Sequence, residues 1–245
     1  SAPQKQAKRS VLKGLLFLTI GIFLTLVLVA AVFEKQIADV VISTLNRQLK
    51  TNLVVSDASL SLIWKFPQAA VYLHDAQIDG VADGEEKLLD VGSISLECSL
   101  WSLLQGKYNF TSCSINNGTL FIHKNERGAV NYDIFNAESS EDNPTNLNIA
   151  ISNASINNIS LHYLDQQRAL DLSMQIQTAD FAGDFIIDNS VNLNKHTMTS
   201  NAELFFNYLQ HGEQLYLQQK EFAYDGSIGL DLAKERYTFE QLRLY

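Results

Sequence analysis

Over most of its length the sequence alternates apolar and polar residues with a period of two, and it supplies little helix to cover the apolar side. In "LSLIWKF" the residues Leu60, Leu62, Trp64 and Phe66 fall on one face and Ser61, Ile63 and Lys65 on the other, the spacing of a pleated β-strand. The pattern recurs over Ala70–Ile78, Leu89–Leu100, Tyr108–Ile115, Gly118–Lys124 and Leu147–Tyr163, the last with a break near Ser152. It continues over Ala169–Phe181, Phe185–Ile187, Thr197–Phe206, Phe222–Leu232 and Tyr237–Leu244. A strand with one apolar face must bury it, in most folds against helices or a second sheet. Here the only later helical signal is "SLWSLLQG", a turn or two ended by Gly106. Three prolines and twelve glycines in 245 residues are few for a sandwich or barrel of many tight hairpins. The third architecture open to such a chain is an open, curved antiparallel sheet whose apolar face is filled by a ligand.

The front of the chain is different. Gly14 to Phe33 is twenty residues without a charge, about the ~20 that cross a ~30 Å hydrocarbon core. Lys5, Lys8, Arg9 and Lys13 precede it and Glu34 and Lys35 follow, so the positive-inside rule predicts a cytoplasmic N-terminus and an exported remainder. The competing reading is a cleaved signal peptide with Val29-Ala30-Ala31 as its processing site, but the run exceeds the usual apolar core of such peptides. From Glu34 to Lys50 the residues Ile37, Val41, Leu45 and Leu49 recur every four positions, with Ala38 and Ile42 beside them and Lys35, Asp39, Asn46 and Arg47 opposite. That spacing predicts an amphipathic helix continuing from the anchor.

Known chemical motifs are missing from the sequence. His74, His123, His162, His196 and His211 are dispersed, without HxH, HExxH or a cysteine partner at metal-ligand spacing, and read as surface or strand-end residues. Neither GxSxG, a P-loop nor GxGxxG occurs, so the expectation is a protein that is not an enzyme and uses no cofactor. Asp75, Asp79, Asp83 and Glu85 lack the EF-hand register and read as a solvated hairpin end. Without its four leading basic residues the chain holds 14 basic against 27 acidic residues, a net charge of −13, which repels nucleic acid. Cys98 and Cys113 flank "SLWSLLQG"; a hairpin centred between Gln105 and Gly106 sets them opposite each other. They read either as a disulfide or, preferably, as two small buried residues.

The order of elements resembles the AsmA family of bacterial inner-membrane proteins with a long periplasmic β-structure. The likeness lies in the anchor, the helix, "LNRQLKTNLVVSDASLSLIWKFPQAAVYLHDAQI" and, most specifically, "SLWSLLQGKYNFTSCSINNGTLFIHKNERGAVNYDIF". In the latter a short LL-x-G turn, here Leu103, Leu104 and Gly106, precedes two strands and then G-x-x-N-W/Y, here Gly128, Asn131 and Tyr132. The resemblance spans Val11 to about Gly183; one departure is Asn117-Gly118 where the family often has proline. It implies a repeating, chorein-like β-groove that carries phospholipid, as bound ligand or cargo, between inner and outer membranes in envelope lipid homeostasis. The implied partners are membrane lipids and an outer-membrane or periplasmic protein at the far end, with no nucleic acid.

The expected organisation is a cytoplasmic basic tail (1–13), a transmembrane anchor (14–33), an amphipathic helix (34–50), a β-groove region (51–135), a polar loop (136–146) and a continuing groove (147–245) that ends within a strand pattern. The expected groove lining is Leu60, Leu62, Trp64, Ile94, Leu96, Cys98, Leu100, Leu120 and Ile122, if no bulge interrupts their strands. Two alternatives stand beside it: a TamB-like scaffold or assembly factor for outer-membrane proteins, and an anchored periplasmic binding or enzyme domain built as a closed sandwich. The orientation is tested by a fusion after Lys50. A reporter that works only outside the cytoplasm is expected to be active there, and activity of a cytoplasm-only reporter would contradict the topology.

Overall fold

The structure, a computed structural model, describes residues 17, 20–21, 24–25, 35–61, 68–81, 87–105, 107–136, 147–186, 196–231 and 236–244. Most of the apolar run 14–33 lies outside these residues; within it Phe17, Ile20, Gly21, Leu24 and Thr25 are described, all helical and exposed. Among the described residues no helix is long and apolar enough to cross a membrane.

Helix α1 (residues 35–48) follows the four-residue spacing of its apolar side chains. Ile37, Ala38 and Val41 are buried, and Ile42, Leu45 and Leu49 pack beside them on the sheet's core. Two polar residues of α1 make specific bonds. Thr44 is buried and accepts a bond from Arg47 Nη2 at 2.7 Å. Asn46, expected on the solvent face, instead clasps the next element: its Oδ1 accepts from Leu53 N at 2.6 Å and its Nδ2 donates to Leu53 O at 3.2 Å. The side-chain amide thus stands in for a strand partner and fixes where the chain leaves the helix.

Ten strands then build one open sheet: β1 (Leu53–Val54), β2 (Asp57–Ser61), β3 (Gln68–Asp79), β4 (Lys87–Ser99), β5 (Tyr108–Lys124), β6 (Leu147–Asp165), β7 (Leu170–Ile186), β8 (His196–His211), β9 (Gln214–Asp231) and β10 (Arg236–Leu244), with a short helix α2 (Leu100–Leu104) between β4 and β5. They pair in the order β1-β3-β4-β5-β6-β7-β8-β9-β10, with β2 also on β3. Among the described residues the strands form this one open sheet and not the two of a closed sandwich. The expectation of a wholly antiparallel sheet needs one correction, because β5 and β6 are parallel from Tyr108↔Leu147 to Lys124↔Asp165. The polar connection at 136–146 thus joins strands of one continuous sheet; its residues 137–146 lie outside the described ones.

The segment after β5 explains why no hairpin forms there. Asn125 turns the chain, its Oδ1 accepting from Arg127 N and Ala129 N, with Gly128 at φ +86° supplying the left-handed turn residue. The chain then docks on the end of α1: Lys50 N donates to Ile134 O at 2.7 Å and Asn136 N to Gln48 O at 2.9 Å. Leu49 bridges Phe135, and Lys50 Nζ meets Asp133 Oδ2 at 2.7 Å. The chain is therefore tied to α1 before it rejoins the sheet as β6, parallel to β5.

Val41 is fully buried in this core, whereas its neighbour Val40 is exposed. Val41→Asp is expected to cost about 3–5 kcal/mol through an unpaired, desolvated charge, read as a fall in the denaturant midpoint. Val40→Asp is expected to stay within about 0.5 kcal/mol. Equal effects at both positions would contradict the docking of α1.

Candidate functional site

Strand register lines up the apolar side chains into rows that cross the sheet. One row runs Leu60, Val71, Leu96, Cys113, Ala154, Phe181, Ser200, and the next Leu73, Ile94, Ile115, Ile156, Ala179, Ala202, Tyr224. A third holds Val91, Gly118, Ile159, Ile176, Leu204 and Phe222, and a fourth Leu89, Leu120, Leu161, Met174 and Phe206. All but Gly118, Ser200, Phe206 and Phe222 belong to one hydrophobic cluster that also contains Ile37 and Val41 of α1. The face is continuous from β2 to β9.

Strict alternation does not produce this. Between the second and third rows each strand spends one extra residue: Asp75, Gly92, Asn117, Asn158 and Gln177 fall at the same level on β3 to β7 and are skipped by the pairing on both sides. Five adjacent strands therefore change phase together, and the apolar side stays one face instead of crossing to the other. Asp75, Asn117 and Asn158 take φ of 48°, 58° and 53°, a left-handed conformation that Asn and Asp tolerate best among residues with a side chain. Gly118 follows because a Cβ there would overlap the Asp90 carbonyl oxygen and stand 2.6 Å from Val91 Cα. The uninterrupted-strand premise of the sequence reading is thus corrected, and Tyr108–Ile115 and Gly118–Lys124 are halves of one strand.

Of the expected lining residues, Leu60, Ile94, Leu96, Cys98, Leu120 and Ile122 lie on this face. Leu100 is buried but belongs to α2 and not to β4. Leu62 and Trp64 lie outside the described residues. Leu103 and Leu104 fall in α2, and Gly106 lies outside the described residues. The hairpin register places Cys98 opposite Phe110 and Cys113 opposite Leu96, a correction to the expected face-to-face pair. Both thiols are free, and burial pushes each pKa up to about 11. His74 and His162 sit within strands and not at their ends, neither of them buried, His74 Nε2 bonded to Ser59 Oγ at 2.9 Å and His162 Nε2 to Asp171 Oδ1 at 2.8 Å.

Asn131 has a specific structural role. It is 3 % exposed; its Nδ2 donates to Phe121 O at 2.7 Å and its Oδ1 accepts from His123 N at 2.8 Å. Its backbone completes the joint, N–H to His123 O and C=O from Val81 N. One side chain therefore ties the tip of β5 to the docking segment, while neighbouring Tyr132 is exposed.

The opposite face carries a ladder that sequence reading missed. Ser114-Ile115-Asn116-Asn117 and Ser155-Ile156-Asn157-Asn158 repeat the tetrad SINN, and the two copies stack in register across the parallel pair. Ser155 Oγ donates to Ser114 Oγ at 2.6 Å, Asn157 to Asn116 at 3.0 Å and Asn158 to Asn117 at 2.9 Å. The repeat was the available signal for strands lying side by side. A shallow cavity of about 270 Å³ lies on this face, lined by Glu97, Ser114, Ser155, Asp180 and Asn201 among others.

Fold and face together define a mainly-β protein built on a single, mostly antiparallel open sheet with one continuous apolar side. Comparison with family models, with curated proteins and with solved structures finds no match to this chain.

Removing the Asn131 amide leaves the Phe121 carbonyl and the His123 N–H without that partner. Asn131→Ala is expected to cost about 1–3 kcal/mol for each group left buried, and Asn131→Asp at least as much, since it sets a carboxylate oxygen against the carbonyl. Denaturation showing Asn131→Asp as stable as the parent would contradict the joint.

Proposed function

We propose that this chain is a membrane-anchored phospholipid carrier that holds acyl chains against the apolar face of its sheet and works between the inner and outer membranes of a bacterial envelope. The observation that supports this reading most is the continuity of that face: the five-strand phase change preserves apolar rows from β2 to β9. Seven strand-to-strand steps of about 4.8 Å make it roughly 34 Å across, whereas one acyl chain reaches about half of a ~30 Å bilayer core. The face is wide enough for whole chains.

The energetic demand on such a carrier is desolvation. Each methylene kept out of water contributes about 0.8 kcal/mol, so a two-chain lipid leaves a bilayer only where apolar side chains follow it without a gap. On this reading no residue performs chemistry. The apolar run 14–33 fixes one end of the device in the inner membrane with its basic tail in the cytoplasm, and the bulk lies in the periplasm. Helix α1, packed on the same apolar core, closes the β1–β3 end of the face.

A second reading, a scaffold for outer-membrane proteins, draws on the edge of β10, which among the described residues pairs only with β9. An unpaired strand edge is a template for an incoming strand.

The two are separated by a photo-crosslinking side chain at Leu120 or Leu96, on the apolar face, compared with Thr119, exposed on the other. Phospholipid adducts at Leu120 and Leu96 but not at Thr119 are expected. Protein adducts at all three positions, with lipid at none, would contradict lipid carriage.

A further inference from the structure

One polar pair interrupts the apolar face. Ser200 on β8 and Tyr224 on β9 sit in adjacent rows, Ser200 opposite Gly226 and Tyr224 opposite Ala202, and their hydroxyl oxygens are 2.7 Å apart. Ser200 is 2 % exposed and Tyr224 half-buried. Two hydroxyls hold two protons, and one of these lies in the bond between them. If the phenol donated it, the serine proton would be the one left over in the buried position, where an unmatched donor is costly. With Ser200 donating, the phenol proton is left over at the more exposed of the two groups.

Among the described residues the side chains at that level offer it no acceptor: Ala154 and Phe181 continue the Ser200 row, Ile156, Ala179 and Ala202 the Tyr224 row, and Leu244 stands opposite Tyr224 on β10. The donor is neutral, and these rows supply no cation, so the pair suits an uncharged acceptor better than a phosphate. An acyl ester meets both conditions, since its chains lie on an apolar face and its carbonyl is an uncharged acceptor.

We propose that the Ser200–Tyr224 pair donates a hydrogen bond to the ester carbonyl of a diacyl lipid, fixing where its glycerol end rests on the face. This contact rests on the lipid-carrying function proposed above. Tyr224 is the donor to the lipid, and Ser200 is a positioning residue that orients the phenol. The acyl chains extend from this point over the rows of β6 and β7, where the lining is wholly apolar.

The test presents the purified full-length chain with vesicles containing equal amounts of dipalmitoyl phosphatidylglycerol and its dihexadecyl ether analogue, which lacks only the ester carbonyls. Lipid retained per chain after gel filtration is measured by mass spectrometry. The parent is expected to enrich the diester about threefold to tenfold, the worth of one neutral hydrogen bond. Tyr224→Phe and Ser200→Ala are expected to bring the ratio close to one by lowering the retained diester while the retained ether stays the same; Tyr224→Phe keeps the ring and its packing, so loss of fold does not confound it. A ratio near one in the parent, or an enrichment that survives Tyr224→Phe, would overturn the contact while leaving lipid carriage intact. Retention of neither lipid by the parent would overturn the carrier function and this contact with it.

Discussion

Everything in this molecule depends on keeping one side of a wide sheet apolar while its strands bend and flip phase. In a strand of sixteen or more residues, such as β5 with 17 and β6 with 19, a single extra residue sends every later side chain to the wrong side. The chain places that residue at one level in five consecutive strands, so each phase change is matched by its neighbour's. Asn117 and Asn158 make the change without leaving the sheet, and the amide of Asn158 bonds across to Asn117. The local backbone cost, of the order of 1–3 kcal/mol per strained residue, is offset by rows that remain buried together.

The helix and the segment after β5 depend on the same face. α1 buries Val41 and Ile37 on it, and the chain after β5 is held to the end of α1 by backbone bonds from Lys50 and Asn136. Asn131 ties that segment back to the sheet. β6 lies parallel to β5, and the two SINN tetrads meet in register.

The sequence made strand existence legible because a half-buried strand writes its two faces into alternate residues. Most strand positions and the helix at 35–48 follow from periodicity, and even the break near Ser152 matches a register shift between Ile151 and Asn153. Strand partners were harder, since alternation is the same for parallel and antiparallel neighbours; the repeated tetrad was the readable clue. Asn117-Gly118 read as a strand boundary because turn residues usually end strands, whereas here a left-handed Asn flips the phase and the strand goes on. Asn46 read as solvent-facing because helical spacing records faces and not the reach of an amide to Leu53. The Ser200–Tyr224 pair was illegible for a related reason: period two places both on the apolar face but does not bring their hydroxyls together.

The central claim, that the apolar face holds phospholipid, is tested most directly by native mass spectrometry of the chain extracted gently from its membrane. The account predicts protein carrying phospholipid adducts that are released when the chain unfolds. A chain that flies at its bare protein mass under conditions that preserve the fold would contradict it.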